Sequence, residues 1–423
     1  MNTTSSHLPL DLDRLWARME TLAGFVRTDV PWTRRAFSDE FLRARDWLRS
    51  EFTAAGLTVE LDAGGNLIGR RAGSEPALAP LVSGSHCDTV VAGGRFDGII
   101  GVLAALEVAH ALKDAKISLR HSLEVIDFLS EEPSDYGVSC VGSRALCGKL
   151  GSDMLCARNH EGETLREAML RIGARPDDLD AALRDSESVA AFVELHIEQG
   201  PVLESRSLPI GVVTNIVGIR RVAISVTGQP DHAGTTPMDL RRDALVGAAR
   251  LIETTHRMAS TLSGRPYYVV ATVGRIAVEP NVPNAVPARV DMVLEVRSDA
   301  TDVLQNFPGN LMRETQAHLQ TLRLDATLVD LTSGTPTDCS NVVIECVEQA
   351  AGHLGYESVR MPSGAGHDAA FMKNVGPMGM IFVPCLDGRS HCPEEWLDPN
   401  QLLDGTRVLA ETLLLLDRVL DVS

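Results

Sequence analysis

Four apolar runs in this chain end in clusters of histidine and acid, and that recurrence narrows the folds open to it. Ala79 to Gly84 leads into Ser85-His86-Cys87-Asp88-Thr89, and Ser122 to Leu129 into Ser130-Glu131-Glu132-Pro133. Val189 to Leu195 leads into His196-Ile197-Glu198-Gln199-Gly200, and Met378 to Val383 into a loop holding Ser390-His391-Cys392-Pro393-Glu394-Glu395. Short apolar runs bounded by turn residues read as strands. Strands alternating with helical periodicity predict an α/β fold with a mainly parallel sheet, and such sheets bind ligands beyond the carboxyl ends of their strands. All four clusters fall there.

Between residues 215 and 332 the pattern changes. Ile219 to Gly228 reads as a strand, Met238 to Leu262 as a helix, Tyr267 to Val278 and Ala288 to Arg297 as strands, Thr301 to Leu322 as a helix and Arg323 to Leu331 as a strand. That order, β-α-β-β-α-β, is ferredoxin-like. The expected organisation is one α/β domain flanked by helices (1–214 and 333–423), interrupted by a smaller α+β domain (215–332). A length of 423 residues accommodates two such cores. Leu10 to Leu22, Asp39 to Ala55 with Ser38 as its cap, and Gln401 to Leu420 are expected as outer or core-facing helices.

A formal charge of −18 argues against nucleic acid and anionic membranes as partners, since both are bound chiefly through lysine and arginine. No apolar run approaches the roughly 20 residues needed to span a bilayer. The polar start, Met1 to Asp11, shows no secretory signal. Eight cysteines lie scattered without a C-x-x-C pair, as in a reducing compartment, so a cytoplasmic protein is expected.

Adjacent carboxylates at a strand end, Glu131 and Glu132, cannot point the same way. One can bind a cation while the other faces a substrate. Singly, each residue has an ordinary alternative: paired glutamates are commonly solvated, and a lone histidine on an apolar strand is commonly a hydrogen-bonded core residue. Jointly, His86, Asp97 in its glycine-rich loop, Glu132, His196 and His391 would meet at one sheet edge. Three imidazoles and two carboxylates suit zinc, manganese, cobalt or nickel rather than calcium. A shared aspartate with two ligands on either side makes a two-metal site, with Glu131 free to take a proton from the water between the ions. Asp88, two residues after His86, would face the same side and steady its imidazole.

Six segments in order resemble the hydantoinase/carbamoylase family: Gly84-Ser85-His86-x-Asp88-Thr89-Val90, Gly93-Gly94-x-Phe96-Asp97-Gly98, Glu131-Glu132, Leu195 to Pro201, His232 to Met238, and Ser390-His391-x-Pro393-x-Glu395. The resemblance covers roughly Gly84 to Trp396. It implies two divalent ions per subunit, zinc foremost, with Asp97 bridging, His86 and His196 on one ion, and Glu132 and His391 on the other. It implies Glu131 as general base and His232 as the group polarising the scissile carbonyl. Asn284 and Arg297 would hold the substrate carboxylate with Gln199 lining the same pocket, the Gly364 to Asp368 segment, His367 foremost, would contact substrate or support the site, and Asp88 and Glu395 would support the ligands. It implies that the inserted domain serves as a closing lid and homodimer contact. The activity implied is hydrolysis of the C–N bond of an N-carbamoyl (ureido) L-amino acid or related ureido acid. An N-acyl amino acid amidase or dipeptidase shares the same site, and a non-catalytic metal-dependent binding protein would have no need of Glu131. The chain departs from the common family pattern after the glutamates, where Pro133-Ser134-Asp135-Tyr136 replaces Gly-Ser-Arg-Phe.

Overall fold

The computed structural model describes residues 8–264 and 266–420. The first seven residues of the polar N-terminal stretch lie outside the described residues. The strands are β1 (Thr58–Leu61), β2 (Leu67–Arg71), β3 (Leu81–His86), β4 (Leu123–Phe128), β5 (Ala191–Ile197), β6 (Ile210–Ile216), β7 (Gly218–Thr227), β8 (Val269–Glu279), β9 (Arg289–Ser298), β10 (Asp325–Ser333), β11 (Thr337–Asp338), β12 (Ser358–Ser363) and β13 (Met378–Val383). They form a nine-stranded sheet and a separate four-stranded antiparallel sheet, as the α/β reading with an inserted α+β domain requires. The chain divides into two compact units, one of Met1–Thr214, Cys339–Met361 and Gly366–Ser423, the other of Asn215–Asp338 and Pro362–Ala365.

In the first unit the strand order runs β1-β2-β4-β3-β5-β13-β6. The contiguous set β4, β3, β5 and β13 is parallel, and every residue in these four strands is buried. Helices cover both faces of such a sheet, so its strands have no polar side to show water and read as continuous apolar runs. Helix Ile99–Asp114 packs on β3 and against helix Pro399–Val419. Ser38 caps helix Asp39–Ala54 by accepting a hydrogen bond from the Phe41 N–H, and Asp398 caps the C-terminal helix. Strands β3 and β4 approach so closely that a Cβ at Gly84 would lie 1.9 Å from the Ile126 carbonyl oxygen, so only glycine fits there.

One buried ion pair ties the helical layer to the sheet. Arg45 Nε donates to Asp127 Oδ2 (2.7 Å), Nη2 to the Asp127 carbonyl (2.9 Å) and Nη1 to the Gly65 carbonyl (2.5 Å). Asp127 lies in β4 just ahead of the glutamate pair, so this clamp also fixes the strand that delivers them.

In the second unit the order is β10-β7-β9-β8, with helices Ala244–Leu262 and Thr301–Thr321 completing the β-α-β-β-α-β connection. Burial alternates along β9, and its inward residues join Val222, Ile224, Leu251, Phe307 and Leu311 in one core. The helix expected from Met238 begins instead at Ala244. Asp243 accepts from the Leu245 and Val246 N–H groups, and Met238 and Leu240 upstream are exposed. No helix among the described residues is long and apolar enough to cross a membrane.

Arg45→Met should lower stability by about 3–5 kcal/mol, because it leaves Asp127 buried without its counter-charge. Arg45→Met/Asp127→Leu should recover most of that loss. Urea unfolding midpoints at constant m-value measure both, and equal midpoints for Arg45→Met and the parent would show that the pair bears no load.

Candidate metal centre

His86 is the last residue of β3, and His196 is the penultimate residue of β5. The glutamates follow β4 on a turn whose Ser130 adopts φ 52°, and His391 lies beyond β13 with φ 55°. Left-handed backbone at non-glycine residues is costly and recurs where geometry serves a site. Asp97 reaches the centre on the glycine-rich loop before helix Ile99–Asp114. At Gly98 (φ 69°) a Cβ would meet the His86 ring at 2.3 Å, so the loop passes the histidine only as glycine.

Three groups of ligand-type atoms result, each within 4.8 Å: His86, Asp97 and His196; Asp97, Glu132 and His391; and Glu194, His196 and His367. The first two share Asp97 and lie at the loops beyond the strands, whereas the third sits deeper, around Glu194 within β5. Asp97 Oδ1 lies 3.1 Å from His196 Nε2 and 3.7 Å from His86 Nε2. Its other oxygen, Oδ2, lies 2.9 Å from His391 Nε2, which in turn is 3.1 Å from Glu132 Oε1. Glu131 belongs to none of the three. Its Oε2 stands 3.7 Å from His86 Nε2, and its Oε1 accepts weakly from the Cys140 thiol (3.6 Å). The adjacent glutamates thus diverge.

Backbone carbonyls set both inner imidazoles. His86 Nδ1 donates to the Asp88 carbonyl (3.0 Å) and His196 Nδ1 to the Ile197 carbonyl (2.9 Å), while the Gly98 N–H donates to His196 Nε2 (3.1 Å). In the neutral rings, Nε2 therefore presents a lone pair towards carboxylate oxygens. Lone pair facing lone pair is attractive only with a proton or a cation between them.

The charge balance points the same way. Asp88, Asp97, Glu131, Glu132, Glu194, Asp368 and Glu395 are all buried here, and among the described residues no lysine or arginine forms an ion pair with any of them. Burial raises Glu131 well above the usual carboxylate range and pushes Asp88 up to about 6. Burial opposes charge on His86 too, yet Glu131, Asp88 and Asp97 outweigh it and raise its pKa well above normal. Hydrogen bonds to Asp97 and Glu132 push His391 up to about 11. Acids that raise their neighbouring imidazoles in this way make the site favourable to positive charge. Nitrogen and carboxylate donors in this ratio fit zinc or a neighbouring divalent transition ion.

The Asp88 carboxylate faces His86, with Oδ1 3.7 Å from His86 Nδ1, and has a second task besides. The Asp88 carbonyl accepts the hydrogen bond from His86, whereas the carboxylate takes the N–H groups of Glu131 and Glu132 (both 3.2 Å). Asp88 therefore aims the glutamate turn. Glu395 accepts from the Phe96 and Asp97 N–H groups (2.7 and 3.2 Å) and from Ser390 Oγ (2.7 Å); burial, with the charge of Asp97, raises it to about 7. Gln199 Nε2 donates to Asp97 Oδ2 (2.7 Å), and Ser390 Oγ donates to the same oxygen (3.0 Å). His367 is buried edge-on against His196, with ring centroids 4.5 Å apart, and burial drives its pKa well down.

Sequence reasoning did not single out Glu194 or Ser143, nor the pairing of Ser85 with Glu194 and of Ser143 with Asp368. Glu194 accepts from Ser85 Oγ (2.6 Å) and Asp368 from Ser143 Oγ (2.5 Å), directly behind His196 and His367. Period-two spacing on β5 was the available signal, because it places Glu194 on the face of His196. The unusual Asp135 is paired with Arg35 (3.1 Å), which also donates to the Pro133 carbonyl (2.7 Å).

In the second unit, the Ala233 N–H donates to the Asn284 carbonyl (3.0 Å), joining the turns that carry His232 and Asn284. The Gly234 N–H donates to His232 Nδ1 (3.0 Å), so the neutral ring of this exposed residue carries its proton on Nε2. Arg297 donates from Nε to Glu295 (2.7 Å) and from Nη1 to the Gly364 carbonyl (2.8 Å).

Residues 82–415 match the sequence profile of Peptidase family M20/M25/M40. The chain is 40% identical over 404 residues to an N-carbamoyl-L-amino acid amidohydrolase of Geobacillus stearothermophilus, covering 95% of this chain and 97% of that one. It is 35% identical over 419 residues to a ureidoglycolate hydrolase of Arabidopsis thaliana, covering 97% and 87%. A crystal structure of a hydantoinase/carbamoylase family amidase from Burkholderia multivorans superposes with a TM-score of 0.91 at 35% identity, covering 98% and 100%. The chain belongs to the M20 family and, within it, to the hydantoinase/carbamoylase amidohydrolases, hydrolases of C–N bonds other than peptide bonds.

Proposed function

We propose that this enzyme hydrolyses the C–N bond of an N-carbamoyl L-amino acid or a related ureido acid, giving the amino compound, carbon dioxide and ammonia with consumption of one water. The observation that carries this reading is the divergence of the two glutamates: Glu132 joins a ligand group while Glu131, equally buried, stands beside the groups without entering any. His86 and His196 would hold one divalent ion and Glu132 and His391 another, with Asp97 shared. Zinc comes first among zinc, manganese, cobalt and nickel. When bound, the ions supply Lewis acidity to the substrate carbonyl and to the attacking water.

The remaining work falls to the chain's own side chains. Glu131 takes the proton from water and returns it to the leaving nitrogen. Burial, which raises its pKa, strengthens it as a base and lets it keep the proton long enough to deliver it. His232 offers an Nε2–H donor suited to a carbonyl oxygen. Asn284 and Arg297 are assigned to the substrate carboxylate, for which a guanidinium is the fitting partner. Gln199 and His367 complete the substrate contacts, and Asp88 and Glu395 orient the glutamate and aspartate loops.

All eight cysteines are free, which supports the cytoplasmic reading. The outer strands β8 and β10 expose Val270, Ile276, Val329 and Leu331, apolar edges of the kind that pair between copies, which supports a homodimer through this unit.

Two measurements test the reading. Metal-stripped protein should release no ammonia from N-carbamoyl L-amino acids, and reloading with zinc, manganese, cobalt or nickel should restore release. Free amino acid from N-acyl compounds without ammonia from carbamoyl compounds would instead make the protein an acylase. Glu131→Gln should keep its metal content yet lose about 10²–10⁴-fold in kcat. Near-normal turnover by that variant at full metal loading would remove Glu131 from its role.

A further inference from the structure

The loop that carries Asp97 and the loop that carries His391 meet at an arginine held between two indoles. The Arg95 guanidinium carbon lies 4.7 Å from the Trp32 ring centroid and 4.6 Å from that of Trp396, with the Phe96 ring at 5.3 Å. Around this stack Trp16, Phe96 and Trp396 pack with centroids 5.6–6.0 Å apart. Three of the chain's four tryptophans therefore gather at one point. Among the described residues Arg95 makes no ion pair within 4.0 Å, although the charges of Glu20 and Glu395 act on it, and its Nε is buried without a hydrogen-bond partner. A guanidinium in such a place is held by its faces, through attraction to the aromatic rings.

The connectivity gives the stack its consequence. Arg95 stands two residues before Asp97, and Trp396 five residues after His391. Trp32, whose backbone adopts φ 48°, donates from Nε1 to the Pro393 carbonyl (3.1 Å), so it grips both loops. His391 needs such support, because its side chain is 49% exposed whereas those of His86 and His196 are buried in the sheet. Glu395 closes the same joint, and a Cβ at Gly94 would lie 1.9 Å from its carboxylate, so the two loops have no slack between them.

We propose that the Trp32–Arg95–Trp396 stack is a positioning device for the outer metal position: it locks the Asp97 loop to the His391 loop so that Asp97, Glu132 and His391 close on one ion. The inference rests on the two-ion reading above. The inner position takes His86 and His196 from strand ends and shares only Asp97 with the stacked loops, so it depends mainly on the sheet and less on the stack than the outer position does. Arg95 is a positioning residue and touches no reacting atom.

The test uses the full chain equilibrated against chelator-buffered zinc, with bound zinc counted per chain and tryptophan emission recorded in parallel. The unaltered protein should bind two zinc ions, and its emission should change with the second. Arg95→Leu should bind the first ion with at most a few-fold loss, through Asp97 alone, and the second about 10–100-fold more weakly, with the emission change shifted to match. Trp396→Leu should behave alike, and Trp396→Phe, which keeps an aromatic face, should restore binding close to the parent. The Trp396 pair keeps the test informative if Arg95→Leu fails to fold. Unchanged zinc affinities in Arg95→Leu and Trp396→Leu overturn the proposal, as does an equal loss at both positions, which would make the stack an element of general stability. Fewer than two zinc ions in the unaltered protein would overturn the metal reading itself, a result seen before any variant is made.

Discussion

The carboxylate of Asp97 is the constraint on which the candidate metal centre depends. One of its oxygens faces His196 and His86, the other His391, so two ligand groups share a single side chain. That sharing is possible only because four neighbouring strands, β4, β3, β5 and β13, stop at the same level. His86 and His391 are separated by most of the chain, yet parallel pairing sets their strands on either side of β5. Asp97 arrives by a different route, on a loop whose glycines allow it to pass over the His86 ring.

Around this carboxylate, structure and charge are in tension. Seven buried acids in one region cost free energy unless positive charge or protons accompany them. The backbone meets part of that demand: the N–H groups of Glu131 and Glu132 serve Asp88, and those of Phe96 and Asp97 serve Glu395. What remains is lone pairs turned towards one another at the centre. A structural core gains nothing from such an arrangement, whereas the proposed hydrolytic site would use it, with Glu131 beside the ligand groups and outside them.

Much of this was legible before any coordinates. Buried parallel strands leave continuous apolar runs, and the polar residue that ends each run stands out against them, so the ends of β3, β4, β5 and β13 could be read directly. Ser38 as a helix cap was equally visible, because capping depends on a few neighbouring residues. The less legible features depend on contacts distant in sequence or on local competition. Spacing puts the Asp88 side chain beside His86, but the two N–H groups that its carboxylate also accepts follow the left-handed turn at Ser130, which no local pattern shows. Glu194 is hidden inside a strand and gains meaning only beside Ser85 and His367. Met238 and Leu240 continued a helical apolar pattern, yet the cap at Asp243 set the start of the helix. The Trp32–Arg95–Trp396 stack joins residues from three distant segments and has no local signature.

The most direct test of the account is anomalous diffraction from crystals of the zinc-loaded protein, recorded on both sides of the zinc edge. The account predicts two peaks about 3.5–4 Å apart, one among His86, Asp97 and His196 and the other among Asp97, Glu132 and His391, with Glu131 bound to neither. A single peak, or zinc held instead by Glu194, His196 and His367, would contradict it.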